Sequence, residues 1–289
     1  MYYNHKVATL DDLIKNIERK IENSNYDKSY LIRLKDFLEN KIKEEYGNIT
    51  VVATKFIVKR YNRKENNEIS EQNKDYYNNR EFANFFEETS RSKTKSKIYT
   101  LISIENRDGY PKLIVGEPDG VNLEYNKAKI YEVKSFNLTD YIQSVKKLKE
   151  YVLNKKVLYI IKTSSSQLIS YQYLLEKTQE YGLIGKRDGI NLYGKIYFYS
   201  KNIKDLSWAR ETIEQNFNTI KRIIRKDAKT YNAYNLSLKD GEIININNKN
   251  IYYFEIDFRV EYNQKIVENY FKNLNELIKS LKQVDNRNL

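Results

Sequence analysis

Two short stretches of the chain hold the residue types that divalent-cation chemistry requires. Glu117-Pro118-Asp119-Gly120 closes one apolar run and enters a turn, and the next apolar run presents Glu132-Val133-Lys134. Side chains two apart on a strand share a face, so Glu132 and Lys134 project together. If the two runs are adjacent strands, their ends bring Asp119 to the same place. Two carboxylates and the carbonyl of Val133 then offer hard oxygen ligands to a divalent cation, and Lys134 can position or help deprotonate a water. That set is equipped for phosphodiester hydrolysis.

The same Glu-x-Lys spacing occurs at Glu18 to Lys20 and Glu39 to Lys41, both in helical patterns. Only at Glu132 does it fall in an apolar strand that follows a Pro-Asp turn. The bland alternative is a strand that buries Ile130 and Val133 and sets its charges toward solvent on alternate positions.

Composition narrows the chemistry. Lys and Arg total 51 against 39 Asp and Glu among 289 residues, a formal charge of +12. Such an excess suits polyanionic partners, nucleic acid first among them; the competing source is a genome bias toward Lys, Asn, Ile and Tyr. There is no cysteine and one histidine, His5. Thiolate zinc sites, cysteine nucleophiles and serine-histidine triads are thereby set aside, and any metal must be held by oxygen, which points to magnesium or manganese. The amino-terminal MYYNHKVATLDDL has no continuous apolar core, and no segment approaches the ~20 apolar residues of a membrane span. The expectation is an intracellular, cytoplasmic protein with no membrane contact.

The elements that must position these residues follow from periodicity. Leu13, Ile14, Ile17 and Ile21, then Leu31, Leu34, Phe37, Leu38 and Ile42, predict a helical hairpin broken at Asn23 to Asp27. TVVATKFIVKRY reads as a strand and Lys64 to Asn79 as a linker. Asn79 to about Thr89 reads as a helix carrying Phe82, Phe85 and Phe86, and SRSKTKSK as a loop. IYTLISIE, PKLIVGE and AKIYEVKSF read as strands, 139 to 154 as a helix, VLYIIKT as a buried strand, and Gln167 to Tyr181 as a helix. Thr163 to Ser166 are then expected to cap that helix. A helix near Trp208 to Arg225, strands EIININ and IYYFEIDFRVEY about an Asn-rich turn at Asn247 to Asn250, and a helix from Gln264 to Leu281 complete the pattern. In IYYFEIDFRVEY, Glu255, Asp257, Arg259 and Glu261 are expected to face solvent. The order predicts a mixed α/β fold with a central sheet flanked by helices. It divides into a helical extension over 1–75, a core over 76–204 and an α+β extension over 205–289.

Across roughly residues 79 to 162, Pro118-Asp119 with Glu132-Val133-Lys134 and the order of elements resembles the PD-(D/E)xK nuclease superfamily. This group spans restriction endonucleases, junction resolvases and RecB-like exonucleases. The resemblance implies a restriction-endonuclease-like core, one or two magnesium ions, and DNA cleavage by an activated water. On that pattern Asp119 and Glu132 are metal ligands, and Lys134 orients the nucleophile or stabilises charge on the phosphate. Many members carry a further acid on the preceding helix. Glu81 and Glu88, seven apart and on one helical face with Phe85, are the candidates, with Glu87 less well placed. Gln143 stands where exonuclease-like members place a glutamine on the following helix, although Lys147 replaces their usual tyrosine.

The expected partner is DNA, gripped on its phosphates by Lys93, Lys95, Lys97, Lys146, Lys147 and Lys149. Some of the 27 tyrosines can stack on bases, while most fill the core. Double-strand cutting by one active site per chain favours a homodimer. The function expected is a magnesium-dependent DNA nuclease. The alternatives are a non-catalytic basic nucleic-acid-binding protein and a structural or interaction subunit of a larger assembly.

Overall fold

A computed structural model describes residues 7–58, 80–106, 109–138, 149–246, 248–272, 274 and 278. The first described element is a short strand β1 (Val7–Thr9) that runs straight into helix α1 (Leu10–Ile21). Thr9 accepts the Asp12 N–H while Asp12 accepts the Thr9 N–H, a reciprocal cap that fixes where the helix begins. Leu10, Leu13, Ile14 and Ile17 form its buried stripe. Helix α2 (Lys28–Phe37) returns antiparallel and passes through a π-helical turn, Leu38–Ile42, into α3 (Lys43–Tyr46). The predicted hairpin is present, with its break at the expected place.

The region read as one long strand splits: β2 (Thr50–Ala53) is extended, and residues 54–58 are already helical. The linker expected over Lys64 to Asn79 lies outside the described residues. Helix α4 (Arg80–Thr94) extends past its expected end, absorbing Ser90 to Thr94 of the presumed loop, and terminates at Lys95 with φ 51°.

Strands β3 (Leu101–Glu105) and β4 (Lys112–Gly116) form an antiparallel pair, and β4 lies parallel to β2. The first sheet therefore has the order β1-β2-β4-β3. Three residues later the chain enters a second sheet through β5 (Gly120–Leu123) and β6 (Lys127–Asn137). Helix α5 (Lys149–Glu180) crosses over to β7 (Gly189–Ser200), which is parallel to β6. Helices α6 (Ile203–Lys226) and α7 (Ala228–Tyr231) lead to β8 (Ala233–Asp240), β9 (Ile244–Ile246), β10 (Lys249–Val260) and α8 (Gln264–Phe271). The second sheet has the order β5-β6-β7-β10-β8, with β9 paired to β10 through a turn in which Asn248 is left-handed.

The fold is thus mixed α/β, with two mixed sheets flanked by helices. The boundaries expected near 75 and 204 run through hydrogen-bonded sheets: β1 and β2 complete the first, and β10 and β8 complete the second. One continuous core joins Leu13, Leu31, Ile114, Ile130, Leu174, Ile196 and Phe258.

VLYIIKT is not a strand. It lies inside the 32-residue helix α5, with Val157, Ile160 and Ile161 fully buried. A short apolar run is ambiguous between strand and buried helix. The serines and threonine that follow do not cap a helix here. Thr163, Ser165 and Ser166 donate to the carbonyls of Tyr159, Ile161 and Lys162, each four residues back, so their hydroxyls are satisfied within the helix.

In the second sheet, even-numbered positions of β6, β7 and β10 face the main core and odd-numbered ones face outward. Helix α4 lies on the outer face, where Phe82 and Phe86 pack with Val133, Tyr197, Tyr199 and Tyr253. Phe86 stacks on Tyr197 with centroids 4.5 Å apart.

Candidate active site

The segment Glu117-Pro118-Asp119 is the passage from one sheet to the other. Its two acids diverge. Glu117 turns toward the helical hairpin, where it pairs with the buried ammonium of Lys20 and accepts Thr100 Oγ1 at 2.5 Å. Asp119 turns toward β6. Continuing the register Gly120↔Tyr131, Val121↔Ile130 by one residue sets Asp119 opposite Glu132. β5 has ended at that point, and the Asp119 side chain takes over the ladder by accepting the Val133 N–H at Oδ2, 2.7 Å away.

Glu132 is 2% exposed on the core-facing side of β6. Lys134, one pleat further on the same side, forms an ion pair with Glu132 Oε1. The structure therefore brings Asp119, Glu132 and Lys134 together. Glu132 Oε2 is buried with no donor, and the carboxyl groups of Asp119 and Glu132 face each other at hydrogen-bonding range. Two acceptors in that arrangement can share only a proton or a cation.

The electrostatics follow. Burial, and then the charge of Asp119, push Glu132 up to about 8. Burial also raises Asp119, against the opposing pull of Lys134 and the Val133 N–H. Burial draws the Lys134 ammonium down, but Glu132 and Asp119 outweigh it and hold its pKa above the ordinary lysine value.

The helix acid nearest the centre is Glu87, and Glu81 and Glu88 are exposed. Burial and the charge of Asp119 raise Glu87 to about 8, with Lys134 and Arg91 opposing. Seven-residue spacing singled out Glu81 and Glu88 as the face shared with Phe85. That face is not the one turned to the site, because Phe82 and Phe86 take the buried stripe and carry Glu87 with them.

Arg91, one turn beyond Glu87, was missed entirely. It is 8% exposed, donates from Nη1 to the Asp119 carbonyl at 3.0 Å and lies 3.8 Å from Glu87. Gly120 makes this possible, since a Cβ there would come within 2.3 Å of Ser96 Oγ and 3.5 Å of Arg91 Cγ. Asn122 adds a second clasp, its amide donating to the Thr94 carbonyl at 2.7 Å. Lys55, in the helical turn after β2, is a further addition. Burial lowers its pKa, and Glu117, Lys134, Glu132 and Asp119 all act on it. Neither residue had a periodic or motif signal; only the fold brings them in.

Val133, expected to supply a carbonyl, is seen to fix Asp119 through its N–H while its side chain packs under α4. Gln143, Lys146 and Lys147 lie outside the described residues. Lys93, Lys95 and Lys97 are exposed around the end of α4.

Among the described residues, no set of three or more His, Asp or Glu side chains is already gathered as a finished metal site. The donor chemistry nonetheless fits a hard cation: two apposed carboxylates and the buried Glu132 Oε2, which has no donor. Among the described residues, no helix is long and apolar enough to cross a membrane. Comparison with protein-family models, curated proteins and solved structures returns no match, so the site stands on its own geometry.

Proposed function

We propose that the protein is a magnesium-dependent DNA nuclease with a PD-(D/E)xK-type site on a restriction-endonuclease-like core, working inside the cell. The observation that carries this reading is the apposition of the buried Glu132 carboxyl and the half-buried Asp119 carboxyl beside the Lys134 ammonium. Burying Glu132 against a second acid costs folding free energy, and a fold that keeps it there without a purely structural partner for Glu132 Oε2 suits a cation-binding role.

Asp119 and Glu132, with the Val133 carbonyl, would hold magnesium or manganese, which when bound neutralises charge on the phosphate and acidifies a water. Lys134 is held in its charged form, so it acts as an electrostatic partner for a phosphate oxygen rather than as a proton acceptor. Glu87 and Arg91 position Asp119 and supply a titratable group at the edge of the centre. Double-strand cleavage by this single site would favour a homodimer.

A second reading, a non-catalytic DNA-binding protein, draws on the same Glu132–Lys134 ion pair, which already neutralises one carboxylate. It expects salt-sensitive DNA binding and no magnesium-dependent product. Incubating the purified chain with plasmid and single-stranded DNA, with magnesium or with EDTA, separates the two. Magnesium-dependent cleavage lost in Glu132→Gln supports the nuclease, and binding without any product rejects it.

A further inference from the structure

The outer face of the second sheet changes character along its strands. At one end Tyr197, Tyr199 and Tyr253 lie under α4. Next comes an ion cluster in which Lys195 contacts Glu255 at 2.9 Å and Asp257 at 3.1 Å, and Lys239 also pairs with Asp257. These acids, expected at the solvent face, are instead largely covered and neutralised. Beyond them the face opens.

That open end carries one row across five strands: Gly120↔Tyr131↔Tyr193↔Arg259↔Tyr234. Tyr131 and Tyr193 stack with centroids 5.2 Å apart and ring planes 19° from parallel. The Arg259 guanidinium lies over the Tyr193 ring at 5.2 Å, and Tyr234 is 44% exposed. Arg259 is exposed and has no acidic partner among the described residues. At roughly 4.8 Å between strands, the row from β6 to β8 spans about 14 Å. It begins at Gly120 and Tyr131, one residue along each strand from Asp119 and Glu132 and so on the opposite face of the sheet from those acids.

We propose that this row is a stacking platform for an unpaired DNA strand, whose bases continue the pile of guanidinium and rings while its phosphates meet Arg259. The proposal deepens the nuclease reading, on which its choice of DNA rests, by naming unpaired DNA as the form held on the sheet face opposite Glu132 and Lys134. The chemistry favours unpaired nucleotides over duplex. A duplex hides its base faces and reads through its grooves, whereas a pile whose inner ring, Tyr193, is covered by Tyr131 and Arg259 can be extended only at its ends, by exposed bases. Lys195 and Lys239 are paired with Glu255 and Asp257, and Lys129 with Glu124, so the cation set within the aromatic row is Arg259.

The test is fluorescence anisotropy of the whole chain with fluorescein-labelled oligo(dT) and with a hairpin duplex, in EDTA so that cleavage plays no part. Oligo(dT) should bind more tightly than the duplex. Tyr193→Leu and Arg259→Ala should each weaken oligo(dT) binding by about tenfold with little change for the duplex, while Tyr193→Phe should keep the affinity. Photo-crosslinking of oligonucleotide carrying 5-iododeoxyuridine should label Tyr131, Tyr193 or Tyr234, which decides the matter even if Tyr193→Leu fails to fold. Equal affinity for both DNAs, wild-type binding by Arg259→Ala, or crosslinks confined to other surfaces would overturn the platform. Single-strand binding without cleavage under magnesium would sink the nuclease reading and leave the platform standing. Unimpaired cleavage by the platform variants would do the reverse.

Discussion

The Asp119 carboxylate accepts the backbone N–H of Val133 at 2.7 Å, so an acid from the end of one sheet is tied to main chain between Glu132 and Lys134 of the other. Its position depends on the strand register rather than on a free rotamer. Asp119→Asn retains an acceptor for that N–H and removes the charge, as Glu132→Gln does for its neighbour. Both variants are expected to lose about a hundredfold or more of magnesium-dependent cleavage while keeping the wild-type circular dichroism spectrum. Cleavage at the wild-type rate by either would rule out the assignment of these acids.

Protonation should tie stability to pH in an unusual direction. Burial and the charge of Asp119 push Glu87 and Glu132 up to about 8 in the fold, against an ordinary value of 4.5. Between those values the folded chain binds more protons than the unfolded one, so stability falls as pH rises through that window and levels off above it. The slope is at most about 1.4 kcal/mol per pH unit for each group. Thermal melts across this range should show the decline, and Glu132→Gln should flatten it.

Cation binding has the opposite dependence, because a protonated carboxyl is a poor ligand. Magnesium without DNA should therefore raise the melting temperature more above about pH 8 than near pH 6. A magnesium-induced shift independent of pH would place the ion elsewhere.

Arg91 joins helix to site through the Asp119 carbonyl and Glu87. Arg91→Ala leaves that carbonyl without its donor and removes one of the two cations that act on Glu87, a loss of about 1–3 kcal/mol in denaturant unfolding. Arg91→Lys should recover only part of it, since one ammonium cannot reproduce the guanidinium fork.

Gly120 sets the spacing of α4 against β5. The Cβ of Gly120→Ala would fall 2.3 Å from Ser96 Oγ, and this overpacking should cost about 1–3 kcal/mol. Adding Ser96→Ala removes the closest atom and should return part of the loss, a coupling that a double-mutant cycle reads directly.

What the sequence made legible was local. The helical hairpin and the strands carrying Lys112–Gly116 and Glu132–Lys134 arise from neighbours within a few residues; the expected pairing of those two strands does not form, since β4 lies in the first sheet and Asp119 reaches Glu132 through β5, a short strand with no signal of its own. What it hid was chosen by packing. VLYIIKT satisfies both strand and buried-helix patterns, and only the surrounding core, with Ser165 and Ser166 bonding back along the chain, makes it α5. Glu87 was passed over because helical spacing relates residues to one another without saying which face meets a partner, and that face is set by Phe86 on Tyr197. Arg91 and Lys55 reach the site from 28 and 64 residues before Asp119, beyond any motif.

The placement of β7 bears on how the protein is made. Its neighbours are β6 on one side and β10 on the other, and β10 begins 49 residues after β7 ends. During translation the apolar ribbon of Leu192, Ile196 and Phe198 leaves the ribosome with one edge open, and it must wait for the tail to arrive. Pausing or premature termination between these strands would strand an adhesive intermediate, so this interval is where chaperone occupancy on the nascent polypeptide should be greatest.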